Sequence, residues 1–115
     1  MVTRTIELKP AIEDFVERLK RFVRVDTVVL FGSYASRAQH EGSDIDLAVF
    51  SYDFDEMSTW DRQETIARAT VGRAYRISPV GFSMKEYERH DPSSFVNEVL
   101  RTGKVVYPGW AKNLD

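Results

Sequence analysis

Apolar and polar residues along this chain follow two different periods, and the period separates helix from strand. From Leu8 to Val23 apolar residues recur at helical spacing, with Ile12, Phe15, Val16, Leu19, Phe22 and Val23 on one stripe. Pro10 fits the first turn of that helix, where its missing N–H is not needed. Thr27 to Phe31 is an apolar, β-branched run that halts at Gly32, as a strand halts at a turn. In the next strand a period of two sets Asp44, Asp46 and Ala48 on one face and Ile45, Leu47 and Val49 on the other. Met57 to Val71 returns to helical spacing, with Ser58 as its cap, Trp60, Ile66, Ala67 and Ala69 partly inward, and Gly72 as its stop. Ala74 to Phe82 predicts a third strand, in which Pro79 marks a bulge or an edge position because proline cannot donate to a ladder. Ser83 to Glu88 predicts a helical turn. Ser93 to Arg101 predicts a helix burying Phe95, Val96, Val99 and Leu100, Gly103 caps it, and Lys104 to Tyr107 predicts a short last strand.

Helices thus alternate with strands in a single domain, residues 1–115, of the α/β (α+β) class: a small sheet flanked by helices. The link between the first two strands is about a dozen residues, enough for a short parallel crossover and equally compatible with antiparallel pairing. Composition adds boundaries. With 43% hydrophobic and 30% charged residues the chain is globular rather than disordered. A net charge of -2 argues against nucleic acid as a partner. The absence of cysteine rules out disulfides and thiolate metal sites. No run reaches the ~18 apolar residues of a membrane span, and the first residues lack the apolar region of a signal peptide. The expectation is a cytoplasmic protein with no membrane partner.

The candidate chemistry gathers between Gly32 and Asp46. Gly32 allows a sharp turn that brings main-chain N–H groups close to a ligand. Ser33 stands where a short helix begins, so its hydroxyl serves either as a cap or as a phosphate ligand. After ten intervening residues come Asp44 and Asp46, whose carboxylates project together beside the turn. Two such carboxylates repel one another unless a cation or an arginine lies between them, which suits a divalent metal and a polyphosphate. A second Asp-x-Asp, Asp53 and Asp55, reads as a solvated loop, as do His40 and His90. Trp60 and Trp110 read as packing or interface residues, and Tyr34 as either a core residue or a floor under a nucleotide.

Gly32-Ser33 followed at this spacing by Asp44-x-Asp46 resembles the nucleotidyltransferases of the DNA polymerase beta superfamily. Phe31-Gly32-Ser33-Tyr34-Ala35 with Ser43-Asp44-Ile45-Asp46-Leu47-Ala48-Val49 resembles, more narrowly, the minimal nucleotidyltransferases, single-domain bacterial and archaeal proteins often encoded beside a helical HEPN-type partner. The likeness continues through Arg76 to Phe82 and from Asp91-Pro92 to Arg101-Thr102-Gly103. It implies a small mixed sheet flanked by helices, the polymerase beta-like nucleotidyltransferase fold. It also implies catalytic Asp44 and Asp46 holding two Mg²⁺ ions, and Gly32, Ser33 and Arg37 holding ATP or another nucleoside triphosphate. The implied reaction passes a nucleoside monophosphate, AMP by expectation, to a hydroxyl. A HEPN-type partner protein is the implied acceptor in an antitoxin-like pairing, with a homodimer as a further or alternative assembly.

One family feature is missing. A third carboxylate belongs on the third strand, and the matching position falls at Arg76 or Ser78, neither of them acidic. Asp53, Glu86 or a partner would have to supply it. The alternative expectation is therefore a catalytically impaired module of the same fold that acts by binding a helical partner, with Arg76 paired to one of the aspartates.

Overall fold

Four strands organise the computed structural model, which describes residues 4–36, 44–72 and 76–109. They are β1 (Thr27–Phe31), β2 (Ile45–Ser51), β3 (Ile77–Ser83) and β4 (Lys104–Tyr107), in the sheet order β3-β2-β1-β4. β1 pairs antiparallel with β2 and with β4, whereas β2 pairs parallel with β3. The sheet is mixed, as the resemblance implied. The first connection, left open by its length, returns antiparallel and needs no crossover. Arg37 and His40 in that connection, Ala74 and Tyr75 before β3, and Trp110 lie outside the described residues.

Alternation along the strands divides the core in two. On one face Val28, Leu30, Ile45, Leu47 and Val49 pack with α1 (Arg4–Leu19), with Ile66 of α3 (Thr59–Arg68) and with Phe54. On the other face Val29, Ala48 and Phe50 pack with Met84 of α4 (Met84–Glu88) and with Val96 and Val99 of α5 (Phe95–Thr102). Ser58, Ser83 and Ser94 cap α3, α4 and α5, each accepting a main-chain N–H from the first turn. Among the described residues no helix is long and apolar enough to cross a membrane.

Several expectations need correcting. α1 begins at Arg4, so Pro10 lies inside it rather than in its first turn. The helix survives because its buried stripe of Leu8, Ala11, Ile12, Phe15, Val16 and Leu19 outweighs one lost hydrogen bond. It ends at Leu19, where the main-chain N–H groups of Phe22 and Val23 both turn back to the Leu19 carbonyl. That turn swings Phe22 out of the stripe into solvent, with the Arg68 guanidinium 5.9 Å from its ring centre. α3 packs along β3, which is an edge strand, so only a narrow stripe of it is covered. Ile66 and Ala69 are buried; Trp60 and Ala67 are exposed. Phe95, expected inside, stands 55% exposed at the start of α5.

The acidic loop after β2 is a 3₁₀ helix, Tyr52–Glu56, and its carboxylates pin neighbouring segments instead of facing solvent alone. Asp53 accepts the main-chain N–H of Arg24 at 2.8 Å, and Asp55 that of Met84 at 2.8 Å. Between them Phe54 points inward and is fully buried.

Pro79 sits on an edge strand, as its chemistry requires. The Gln63 amide of α3 covers that edge, donating to the Pro79 carbonyl at 3.4 Å and accepting the Gly81 N–H at 2.9 Å. The main-chain groups of these two residues face outward, so the missing N–H of Pro79 removes no bond to β2. Gln63→Leu is expected to lower stability by about 1 kcal/mol, read as a lower denaturant midpoint at unchanged slope. An unchanged midpoint would show that water replaces the amide at no cost.

Candidate functional site

The turn after β1 and the start of β2 meet through their pairing register. Phe31 lies opposite Asp46, so Gly32, the next residue, arrives beside that carboxylate. Gly32 has φ +73°, in the left-handed region that favours glycine. A Cβ built on it would lie 2.2 Å from Oδ2 of Asp46 and 3.1 Å from its Cγ. The carboxylate therefore rests in a space that a side chain at position 32 would fill. Ser33 opens the short helix α2 (Ser33–Ser36) immediately afterwards and is half-buried. Tyr34 is buried in the core, which settles its role as packing.

Asp44 stands just before β2 and Asp46 within it. The Arg76 Nε donates to Asp44 Oδ1 at 3.0 Å, and the Arg76 carbonyl accepts the Ile45 N–H at 2.7 Å. The two charged side chains are 67% and 48% exposed, so solvent screens the pair and its contribution to stability is under about 1 kcal/mol. It is a contact that a competing ligand can displace.

Asp46 is half-buried, and its pKa is raised, first by that burial and then by the negative charge of Asp44. A raised carboxylate pKa means that the folded protein keeps a proton the unfolded chain has already released. Its contribution to stability therefore falls as pH rises from the ordinary value of 3.8 through the raised one. In chelator, Asp46→Asn is expected to be more stable than the parent at neutral pH, with the difference opening as pH climbs above that value. Unfolding curves across pH check this, and a difference independent of pH would count against it.

The third strand brings no acid to this cluster. Ser78 lies directly opposite Asp46 in the parallel register, and Arg76 is already joined to Asp44. The other acids considered are engaged elsewhere. Glu86 accepts the Ser83 main-chain N–H at 2.8 Å and pairs with Arg62 at 3.1 Å, while Asp53 holds Arg24. His90 Nδ1 lies 2.9 Å from the Tyr87 carbonyl at the end of α4, a local contact. Among the described residues no group of three His, Cys, Asp or Glu side chains is placed to hold a metal ion. Two carboxylates, one of them disfavoured as an anion by burial and by the other's charge, still suit magnesium, which is commonly held by one or two carboxylates and completes its shell with phosphate oxygens and water.

The turn at Gly32 faces the Asp46 carboxylate, and comparison with known proteins bears on the family and the fold. The family described as polymerase beta, nucleotidyltransferase matches residues 13–109. The chain belongs to this family. A crystal structure of a candidate nucleotidyltransferase from Sulfolobus solfataricus has a similar fold, with a TM-score of 0.71 at 19% sequence identity, covering 94% of this chain and 89% of that one. No curated protein matches. As a member of the polymerase beta nucleotidyltransferase family, the chain carries Gly32, Ser33, Asp44 and Asp46 at the junction of β1, α2 and β2. On the β3 side, Ser78 stands opposite Asp46 where the resemblance implied a third carboxylate.

Proposed function

We propose that this domain binds a nucleoside triphosphate with magnesium at Gly32, Ser33, Asp44 and Asp46 and transfers its nucleoside monophosphate to a hydroxyl. The observation that carries the proposal is the Asp46 carboxylate lodged against Gly32, with Asp44 two residues away. Asp44 and Asp46 would hold the metal, which would neutralise charge on the phosphates and favour in-line displacement. The residues themselves do the positioning. Gly32 leaves room for the carboxylate and for close approach of a phosphate, and Ser33 offers a hydroxyl at the same turn. A bound cation would offset the burial and the Asp44 charge that together raise the pKa of Asp46. Arg76, being exposed, is free to move from Asp44 to a phosphate oxygen. Arg37 belongs to the same reading as a further phosphate contact. ATP is the nucleotide we favour, with two Mg²⁺ ions in the active complex. Adenylylation of a HEPN-type helical partner, in an antitoxin-like cytoplasmic pair, follows from the likeness to minimal nucleotidyltransferases, and a homodimer is the alternative assembly.

A second reading rests on Ser78 and on the Arg76–Asp44 pair: a nucleotidyltransferase-fold module that binds a helical partner without catalysis. One titration addresses both. ATP and the other triphosphates, with and without Mg²⁺, are titrated into the parent protein and into Asp44→Asn/Asp46→Asn. Magnesium-dependent binding in the parent, lost in the double variant, is expected; absence of binding in the parent would overturn the proposal. Transfer of labelled nucleotide to a copurified partner then distinguishes enzyme from binding module.

A further inference from the structure

The face of the sheet that carries Asp46 continues into an aromatic surface. By strand alternation Phe31 of β1 and Ser78, Val80 and Phe82 of β3 share that face with Asp46, Ala48 and Phe50 of β2. The face turns from polar to apolar within one register step, because Phe31 is the cross-strand partner of Asp46 itself. Cα atoms so paired lie about 4.5–5.5 Å apart.

Phe95 of α5 stands over this step. Its ring centre is 5.6 Å from that of Phe31, edge to face, and 6.1 Å from that of Phe82. Phe31 and Phe82 are half-buried, whereas Phe95 is 55% exposed. Among the described residues Phe95 is thus backed by two aromatic rings while more than half of it is left accessible for a further flat partner.

We infer that Phe95, backed by Phe31 and Phe82, is the platform on which the base of the bound nucleotide stacks. The inference rests on the nucleotide reading above and adds a subsite to it. Continuity selects this occupant. A triphosphate held at Gly32 and Asp46 carries its base one ribose away, and the apolar surface begins at the residue paired with Asp46. An aromatic platform grips the flat face of a base by stacking, so any preference for ATP over the other triphosphates would have to come from groups at the base edge and not from Phe95.

The test compares ATP with inorganic tripolyphosphate, each with Mg²⁺, on the parent protein, Phe95→Ala, Phe95→Leu and Phe95→Trp. Tripolyphosphate carries the phosphates without the base. Loss of stacking is expected to weaken ATP binding about 5- to 150-fold in Phe95→Ala, while tripolyphosphate binding stays unchanged. Phe95→Leu, which keeps an apolar cover over Phe31 and Phe82, is expected to lose most of the ATP preference as well, and Phe95→Trp to retain it. Unchanged ATP affinity in Phe95→Ala overturns the platform and leaves the nucleotide site standing; the exposed ring then belongs to a protein contact. Equal weakening of both ligands also overturns it, since Phe95 would then only shape the sheet face. If neither ligand binds the parent protein, the nucleotide reading falls and the platform with it.

Discussion

The Phe54→Ala protein is expected to lose about 3–5 kcal/mol of folding stability, the usual cost of deleting a fully buried phenylalanine. For a domain with about 5–15 kcal/mol in total, that leaves little margin. The size of the loss follows from how the ring is held. Ser51, itself buried, caps the 3₁₀ helix by accepting the Asp53 N–H, and Asp53 and Asp55 tie that helix to Arg24 and Met84. The backbone on either side of Phe54 is thereby fixed and cannot sink into the space left behind. Across from it a Cβ on Gly81 would meet Ile66 at 2.7 Å and the Phe54 ring at 3.0 Å, so ring and strand are already in contact. Chemical denaturation with the slope recorded checks this. A loss under about 1.5 kcal/mol would mean that Ile66 and its neighbours collapse into the cavity and that the 3₁₀ helix is not rigidly pinned.

Gly32→Ala is expected to act in two ways of unequal weight. Holding alanine at a positive φ costs about 1–2 kcal/mol, a moderate loss of stability. The new methyl group would also occupy the space of Asp46 Oδ2. The carboxylate lies at the end of a short side chain and can rotate, so the fold survives, but the group leaves its place beside Asp44. Magnesium-dependent ATP binding, where we propose it, is then expected to fall by about tenfold or more, since small misplacements of a positioning group are costly. Calorimetric titration alongside thermal unfolding separates the two effects. If stability falls while nucleotide affinity holds, Gly32 is a turn residue only and Asp46 needs no fixed position.

These two residues differ in how far the sequence alone reveals them. Gly32 was readable because a strand stopping at glycine before a Ser and a spaced Asp-x-Asp is a local pattern. The structural importance of Phe54 was not, because a single aromatic in an acidic stretch has no periodicity to mark its direction. The fates of Asp53 and Asp55 were hidden for the same reason: their partners are the main-chain N–H groups of Arg24 and Met84, each 29 positions away. Arg76 was singled out from its position on the third strand, yet only the fold decides that it joins Asp44.

What the sequence determined by itself is what depends on neighbours along the chain. It placed the strands and helices in order, put Asp44 and Asp46 on one face by a period of two, and assigned Ser58 to a cap and Pro79 to a bulge or a sheet edge. Those outcomes follow from side-chain periodicity, backbone dihedral preference and the missing proline N–H, all local properties. The tertiary structure alone decided that β1 and β2 run antiparallel and so bring Gly32 to Asp46, that Ser78 rather than Arg76 is paired opposite Asp46, and that Phe22, Trp60 and Phe95 lie outside a core their spacing would have admitted. An apolar residue is buried only if another element covers it. Coverage is a matter of which segments meet in space, and no local pattern records that.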